Sequence, residues 1–290
     1  MAESVLLGID GGGTRCRARL ADLDGTVLSE AEAGPANTRL GLDVVFANIT
    51  RAAERALKEA GMEPDLSRVR VHAGMGLAGL SLERERNMVR TYAHPFQTML
   101  VESDAYIACL GAHAGRNGGV LVLGTGSCGC VLVDGEERTI GGWGFEVSDH
   151  ASGAAIGRKV VRQSLLAFEG GIEATGLTRA VMDRFGESQE NVVTWAEQAR
   201  PGDFGEFSRL ASEWAAKGDT VALKILRWAA EDAALLIRAL AAKGAGTVVL
   251  VGGVARSLEP LLPPDAASLL APSLGDPLCG ALLLARRGLE

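Results

Sequence analysis

The sequence predicts an α/β protein made of two similar halves. Three observations carry this. A short apolar run enters a glycine turn and leaves through an alternating strand at Val5–Leu20, the same arrangement returns at Gly118–Arg138, and each copy is followed by segments of helical period mixed with apolar segments of strand length.

"VLLGI" (Val5–Ile9) has the length and density of a buried strand, and "RCRARL" alternates charged with small or apolar residues, the period of a strand with one covered face. The "DGGGT" between them is therefore a β-hairpin turn. A phosphate loop that opens a helix would need Gly-Lys-Ser/Thr or G-x-G-x-x-G, and neither is present. Glycine is useful in such a turn because positive φ is accessible at no steric cost, and because a missing Cβ lets backbone N–H groups converge on an anion. Asp10 ends the entering strand, where a carboxylate could hold hydrated Mg2+ against phosphates, and Thr14 adds a hydroxyl. Taken alone, the three glycines read equally as a tight hairpin that serves only turn geometry. "DLDG" at Asp22–Gly25 turns the chain into a third strand.

Next, "GLDVVFANITRAAERALKEAG" (Gly41–Gly61) places Val44, Val45, Ile49, Ala52, Ala53, Ala56 and Leu57 on one helical face and stops at glycine. "RVRVHAG" reads as a strand, "LSLERERNMVRTYA" as a helix, "QTMLVES" as a strand and "DAYIACLGAHAG" as a helix, giving βββαβαβα. The second copy, "GGVLVLGTGSCGCVLVDGEER", has an apolar strand, a Gly-Thr-Gly-Ser turn, an alternating strand and an Asp134–Gly135 turn. A helical region from Ser152 to about Lys243 interrupts this half before the strand in "GTVVLVGGVARS" and the final helix "DPLCGALLLARRGLE". The expected organisation is a lobe over 1–112 and a lobe over 113–290, the latter with a helical insertion at about 152–243. A phosphate hairpin in each half suits a ligand with several phosphates, gripped from both sides.

Composition narrows the partners. With 290 residues, 47% hydrophobic, the chain buries a large core, and its length favours two domains. A net charge of -7 without a Lys/Arg stripe argues against nucleic acid. Apolar runs such as "TVVLVGG" fall far short of the roughly 20 residues that span a bilayer, and no signal segment is read at the start, so neither membrane insertion nor secretion is expected. Five cysteines without framework spacing suit free thiols in the cytoplasm. His72, His94 and His113 have no metal-ligand spacing.

The two hairpins, "GIDGGGT" and "LGTGS", with "ESDA" between them and "LVGGVA" after them, resemble the actin-like (ASKHA, ribonuclease H-like) sugar kinases. Within that superfamily "GGWGFEVSDHASGAAIGRKVV" (Gly141–Val161) resembles the N-acetylglucosamine and glucosamine kinases grouped with the BadF/BadG/BcrA/BcrD ATPase family. The hairpins identify the superfamily; the Gly-Trp-Gly to Asp segment narrows it.

The resemblance implies an actin-like fold with ATP in the cleft between two βββαβαβα-type lobes, and phosphorylation of an amino sugar on its 6-hydroxyl. It implies Gly11, Gly12, Gly13 and Thr14 at the β-phosphate, Gly124, Thr125, Gly126 and Ser127 at the γ-phosphate, and Gly252 and Gly253 where the backbone approaches the nucleotide. Asp10 would act through Mg2+. Asn37, Gly142, Trp143 and Asp149 match the sugar contacts, Glu146 is a candidate partner for a free ammonium, and relatives imply a homodimer. Asp104 is the candidate base that accepts the proton of the attacking hydroxyl. By position alone, Ser103 or Asp104 reads as a helix N-cap, and the two roles can coexist.

Two departures from the family pattern stand out. Ser103 replaces a usual Asn, and Asp149-His150-Ala151-Ser152 replaces Asp-Glu-Gly-Ser, so an imidazole stands where a carboxylate is common. If His150 meets the substituent on sugar carbon 2, preference between amine and acetamide could change. Two other functions stay open. A sugar-responsive regulator would need a DNA-binding helix pair, which is not expected ahead of Val5. An activating ATPase with an iron-sulfur cluster would need cysteines in another motif than the C-x-C of Cys128 and Cys130, which reads as buried free thiols.

Overall fold

The computed structural model describes residues 4–80 and 82–289. Strands β1 (Ser4–Gly11), β2 (Cys16–Ala21) and β3 (Val27–Ala33) are followed by α1 (Leu42–Glu59), β4 (Arg70–Leu77), α2 (Glu83–Arg90), β5 (Thr98–Ser103) and α3 (Asp104–Ala112), the βββαβαβα order expected of the first half. Their sheet runs β3-β2-β1-β4-β5, with β1 antiparallel to β2 and parallel to β4. As the central strand, β1 is covered on both faces. Val5, Leu7 and Ile9 join Val45, Ile49 and Ala52 of α1 in one core, while Leu6 packs with Ala285 on the other face. Burial on both sides is why Val5–Ile9 reads as an unbroken apolar run.

The second sheet is built from β6 (Gly118–Leu123), β7 (Ser127–Val133) and β8 (Glu136–Gly141). Five helices then fill the expected insertion: α4 (Gly153–Phe168), α5 (Gly176–Arg184), α6 (Gln189–Gln198), α7 (Pro201–Ala216) and α8 (Thr220–Leu240). A Cβ on Gly157 would come 1.7 Å from the Phe204 carbonyl oxygen, so α4 and α7 touch backbone to backbone. Phe185, Trp195, Phe204 and Phe207 pack as one aromatic group beside them. The chain returns to the sheet as β9 (Val248–Val251), parallel to β6, and the order is β8-β7-β6-β9. Beyond the short turns α9 (Ala255–Leu258) and α10 (Pro264–Ala267), Leu270 makes a single parallel bridge to Val248. That bridge occupies the place β5 has in the first sheet. The second half thus keeps the strand order of the first, but its last strand is reduced to one residue pair.

The final helix is α11 (Pro277–Arg287). By its contacts the chain divides into one unit of Met1–Gly118, Val131–Glu137 and Pro272–Glu290, and another of Gly119–Cys130 and Arg138–Ala271. Three segments expected in the second lobe, residues 113–118, Val131–Glu137 and Pro272–Glu290, therefore group with the first unit, the last two for a visible reason. The β7–β8 turn is held there by Asn117, which exchanges hydrogen bonds with the backbone and carboxylate of Asp134 at 2.9 and 3.0 Å. Helix α11 lies on the first sheet where glycine leaves room. A Cβ on Gly74 would come 2.2 Å from the Ala281 oxygen, and one on Gly280 would come 1.9 Å from the Ile107 oxygen of α3. Among the described residues no helix is long and apolar enough to cross a membrane.

Candidate active site

The first hairpin closes with the Gly12 N–H donating to the Arg15 oxygen at 3.0 Å. Asp10, Gly12, Gly13, Thr14, Arg15 and Arg17 line an open pocket of about 270 Å³. Asp10 and Arg17 are register partners across β1 and β2, and Asp10 Oδ2 accepts from Arg17 Nη2 at 2.6 Å and from Nε at 3.2 Å. Beside them the Cys16 thiol is pushed up to about 12 by burial and then by the Asp10 charge, so it stays protonated. None of Gly11, Gly12 and Gly13 adopts positive φ, contrary to the first of the two reasons expected for glycine here. At Gly11 the missing side chain serves packing, since a Cβ there would come 2.5 Å from Leu77 Cδ2. Gly13 is open, with Asn37 Nδ2 at 4.0 Å from the place of its Cβ. Asn37 caps the short Thr38–Leu40 turn, its Oδ1 accepting from the Arg39 N–H at 3.0 Å, and this leaves its amide NH2 toward the hairpin.

The second hairpin is bound to the start of α4. The N–H groups of Gly153 and Ala154 donate to the oxygens of Gly124 and Thr125 at 2.8 and 3.0 Å, and Ser152 caps the helix through the Ala155 N–H at 3.1 Å. The positive end of a 16-residue helix thereby sits against the turn. Asp149 lies against the same turn. A Cβ on Gly126 would come 3.0 Å from its Oδ2, and its Oδ1 accepts from the Ser127 N–H at 3.5 Å. Asp149 is 7% exposed; burial raises its pKa, opposed by the Ser127 N–H and by His150. The His150 ring lies 3.9 Å from Asp232 on α8. Gly252 has φ 103° and a Cβ there would come 2.3 Å from the Leu123 oxygen, while Gly253 is open. Gly142 donates to the Ser127 oxygen at 3.1 Å, and beyond it Trp143, 63% exposed, and Glu146 stand out toward solvent.

Asp104 opens α3 at the carboxyl end of β5. Ser103 is the N-cap, its Oγ accepting from the Tyr106 N–H at 3.0 Å, and Asp104 Oδ1 accepts from the Ala105 N–H at 2.9 Å. The cap is thus supplied by the serine, and the next carboxylate is released from that duty. Asp104 keeps an open surface but stands among dense protein, and burial of that kind raises its pKa first. The Asp10 and Glu137 charges raise it further, and the Ala105 N–H opposes them. All five cysteines are free thiols, with Cys130 buried and Cys128 half-buried. Among the described residues no group of three or more His, Cys, Asp or Glu side chains is placed to hold a metal ion.

The family model described as the BadF/BadG/BcrA/BcrD ATPase family matches residues 7–284. The chain belongs to this family. It is 37% identical to the glucosamine kinase GspK of Vibrio cholerae over 279 residues, 96% of this chain and 95% of that one. Its backbone superposes on a solved Chromobacterium violaceum protein, described as a candidate N-acetylglucosamine kinase, with a TM-score of 0.88 and 35% identity, covering 98% of this chain and all of that one. The ROK-family glucokinase of Streptomyces griseus, solved with glucose and AMPPNP, reaches a TM-score of 0.59 at 20% identity over 98% of this chain and all of that one. That last likeness concerns the fold alone, the actin-like α/β fold.

In this BadF/BadG/BcrA/BcrD member the first unit assembles Asp10, Gly11–Thr14, Asn37 and Asp104, and the second assembles Gly124–Ser127, Gly142, Asp149 and Gly252–Gly253. Three residues near these were not singled out in the sequence. Arg17 was legible, since counting outward from the hairpin turn pairs it with Asp10. Glu137 and Arg86 were not, because they reach β5 from distant parts of the chain: Ser103 Oγ donates to Glu137 Oε1 at 3.0 Å, and Arg86 binds both Glu137 and Glu102.

Proposed function

We propose that this protein is an ATP-dependent hexosamine kinase that transfers the γ-phosphoryl group of ATP to the 6-hydroxyl of glucosamine or N-acetylglucosamine. The observation that carries the reading is Asp104, a carboxylate at a strand's carboxyl end, relieved of helix capping by Ser103 and raised in basicity by its surroundings. The near full-length likeness to a protein named as a glucosamine kinase supports it.

Asp104 accepts the 6-hydroxyl proton as that oxygen bonds to the γ-phosphorus and the bond to the β-γ bridging oxygen breaks, giving sugar 6-phosphate and ADP. Such transfer depends mainly on positioning and charge stabilisation. The turns Gly11–Thr14 and Gly124–Ser127 serve the β- and γ-phosphates, the latter backed by the α4 terminus. Asn37 offers its NH2 to a sugar hydroxyl, while Gly142, Trp143, Glu146 and Asp149 complete the sugar contacts. Mg2+ fits Asp10, a hard carboxylate donor lining the pocket beside Gly12 and Thr14. When bound it would neutralise phosphate charge. A cytoplasmic homodimer belongs to the same reading, and light scattering of the purified protein tests the dimer.

Coupled ATP turnover with Mg2+ against glucosamine, N-acetylglucosamine, N-acetylmuramic acid and glucose tests the function. Turnover on an amino sugar is expected. Silence on all four, with ATP still bound, would overturn it.

A further inference from the structure

Beside Asp104 lies a chain of charged and hydrogen-bonded side chains that the transfer step does not use. Ser103 Oγ has one proton. It goes to Glu137 Oε1, which aims a lone pair of the same oxygen at the Tyr106 N–H and so locks the first turn of α3, where Asp104 stands. Glu137 Oε2 is held in turn by Arg86 Nη2 at 2.7 Å, and Arg86 Nη1 binds Glu102, which also receives Arg90 Nη2 at 3.4 Å. Glu137 and Arg86 side chains are only 13% and 16% exposed, so the pair is largely withdrawn from water and fixed in place. Glu137 comes from the start of β8, Arg86 from α2 and Glu102 from β5. Three separate elements therefore converge on the residue that precedes the base.

We propose that Glu137, clamped by Arg86, is a positioning residue that sets the aim of the Asp104 carboxylate through the Ser103 hydroxyl. The proposal rests on Asp104 being the base. It also accounts for serine at position 103: a hydroxyl can give its proton to a carboxylate and still accept the capping N–H. The groups facing Asp104 with charge are Asp10 from β1 and Glu137 from β8, and Glu137 alone is tied to a hydrogen bond that also fixes the helix start.

The test is steady-state kinetics on purified wild type, Glu137→Gln, Ser103→Ala, the double variant and Asp104→Asn, with circular dichroism confirming the fold of each. Glu137→Gln and Ser103→Ala are each expected to lower kcat about tenfold while the KM values for ATP and sugar stay within about twofold, and the double variant should lose little more than either of them, because both cut the same link. Glu137→Asp, which keeps the charge on a shorter arm, should recover part of the loss. Wild-type kcat in both Glu137→Gln and Ser103→Ala, or fully additive losses, overturns the positioning role while an inactive Asp104→Asn leaves the base in place. Should Glu137→Gln not fold, unchanged kcat in Ser103→Ala overturns it. Full turnover in Asp104→Asn overturns both readings.

Discussion

Arg17 holds Asp10 through a single oxygen atom, Oδ2, to which both its Nε and Nη2 donate. The pair is partly exposed, at 28% and 19% of the side chains, and joined at 2.6 Å. On the proposed reading Arg17 and Mg2+ would compete for one carboxylate, and Arg17 also lines the pocket beside Gly12 and Thr14 that would receive phosphate. Asp10→Asn should raise the Mg2+ concentration for half-maximal turnover about tenfold or more. Arg17→Gln should lower it and raise the KM for ATP. Titration of Mg2+ at fixed ATP checks both directions, and a fall in magnesium demand on removing Asp10 would contradict the assignment.

Asp104→Asn should lower kcat by about a hundredfold or more with ATP binding retained. On the proposed reading Asp104 acts as the ionised base, so kcat/KM should fall on the acid side with a limb above the ordinary aspartate range, since burial, Asp10 and Glu137 all raise the pKa. The same shift has a sign for stability. A carboxyl whose folded pKa is raised contributes stability below its unfolded pKa and loses it as pH rises through the folded value. At neutral pH Asp104 therefore costs stability, and the inactive Asn variant should melt no lower than wild type. A clear drop in its Tm would count against a destabilised base.

Gly126 has no positive φ, so the missing side chain is what matters there. An added methyl would come 3.0 Å from Asp149 Oδ2 and displace that carboxylate from the turn. Gly126→Ala should reduce kcat/KM about tenfold, with Tm nearly unchanged. Wild-type kinetics in this variant would show that the turn tolerates the shift.

In the helical region Asp219 ties two helices at once. Its carboxylate accepts from Val221 and Ala222 at the start of α8, and from Thr175 and Leu177 at the start of α5, at 2.9 to 3.1 Å. Burial pushes its pKa up, but the four donors hold it below the ordinary range. Asp219→Ala should cost about 2–4 kcal/mol in urea unfolding, the sum of a lost cap and unsatisfied buried donors. The contribution of Asp219 is present above its unfolded pKa of about 3.9 and disappears as pH falls through the lowered folded value.

Gly280→Ala places a methyl 1.9 Å from the Ile107 oxygen, on backbone that has nowhere to go. A loss of about 1–3 kcal/mol, or failure to fold, is expected. Urea midpoints read it directly.

Most of the fold could be read from local pattern. Val5–Ile9, the α1 face and both hairpins carry periodicities that depend only on near neighbours, and so does the place of Asp104 at a strand end. What escaped reading depends on partners far away in sequence. The assignment of α11 to the first sheet is set by the absence of side chains at Gly8, Gly74 and Gly280, and a missing atom leaves no periodic signal. Glu137 sits in the charged run "DGEER", where nothing distinguishes it from a solvated surface residue until Arg86 is brought to it. The hairpin glycines were recognised, but only the close approach at Gly11 and Gly126 explains them.

The packing of α11 against β1 and β4 also sets an order of events during synthesis. A ribosome making this chain completes every residue of the second unit, through Ala271, before it makes the helix that covers Leu6, Gly8 and Gly74. The half of the protein that is begun first is finished last, and until Pro277–Arg287 leaves the exit tunnel Leu6 and Gly8 of its central strand lack the helix that covers them.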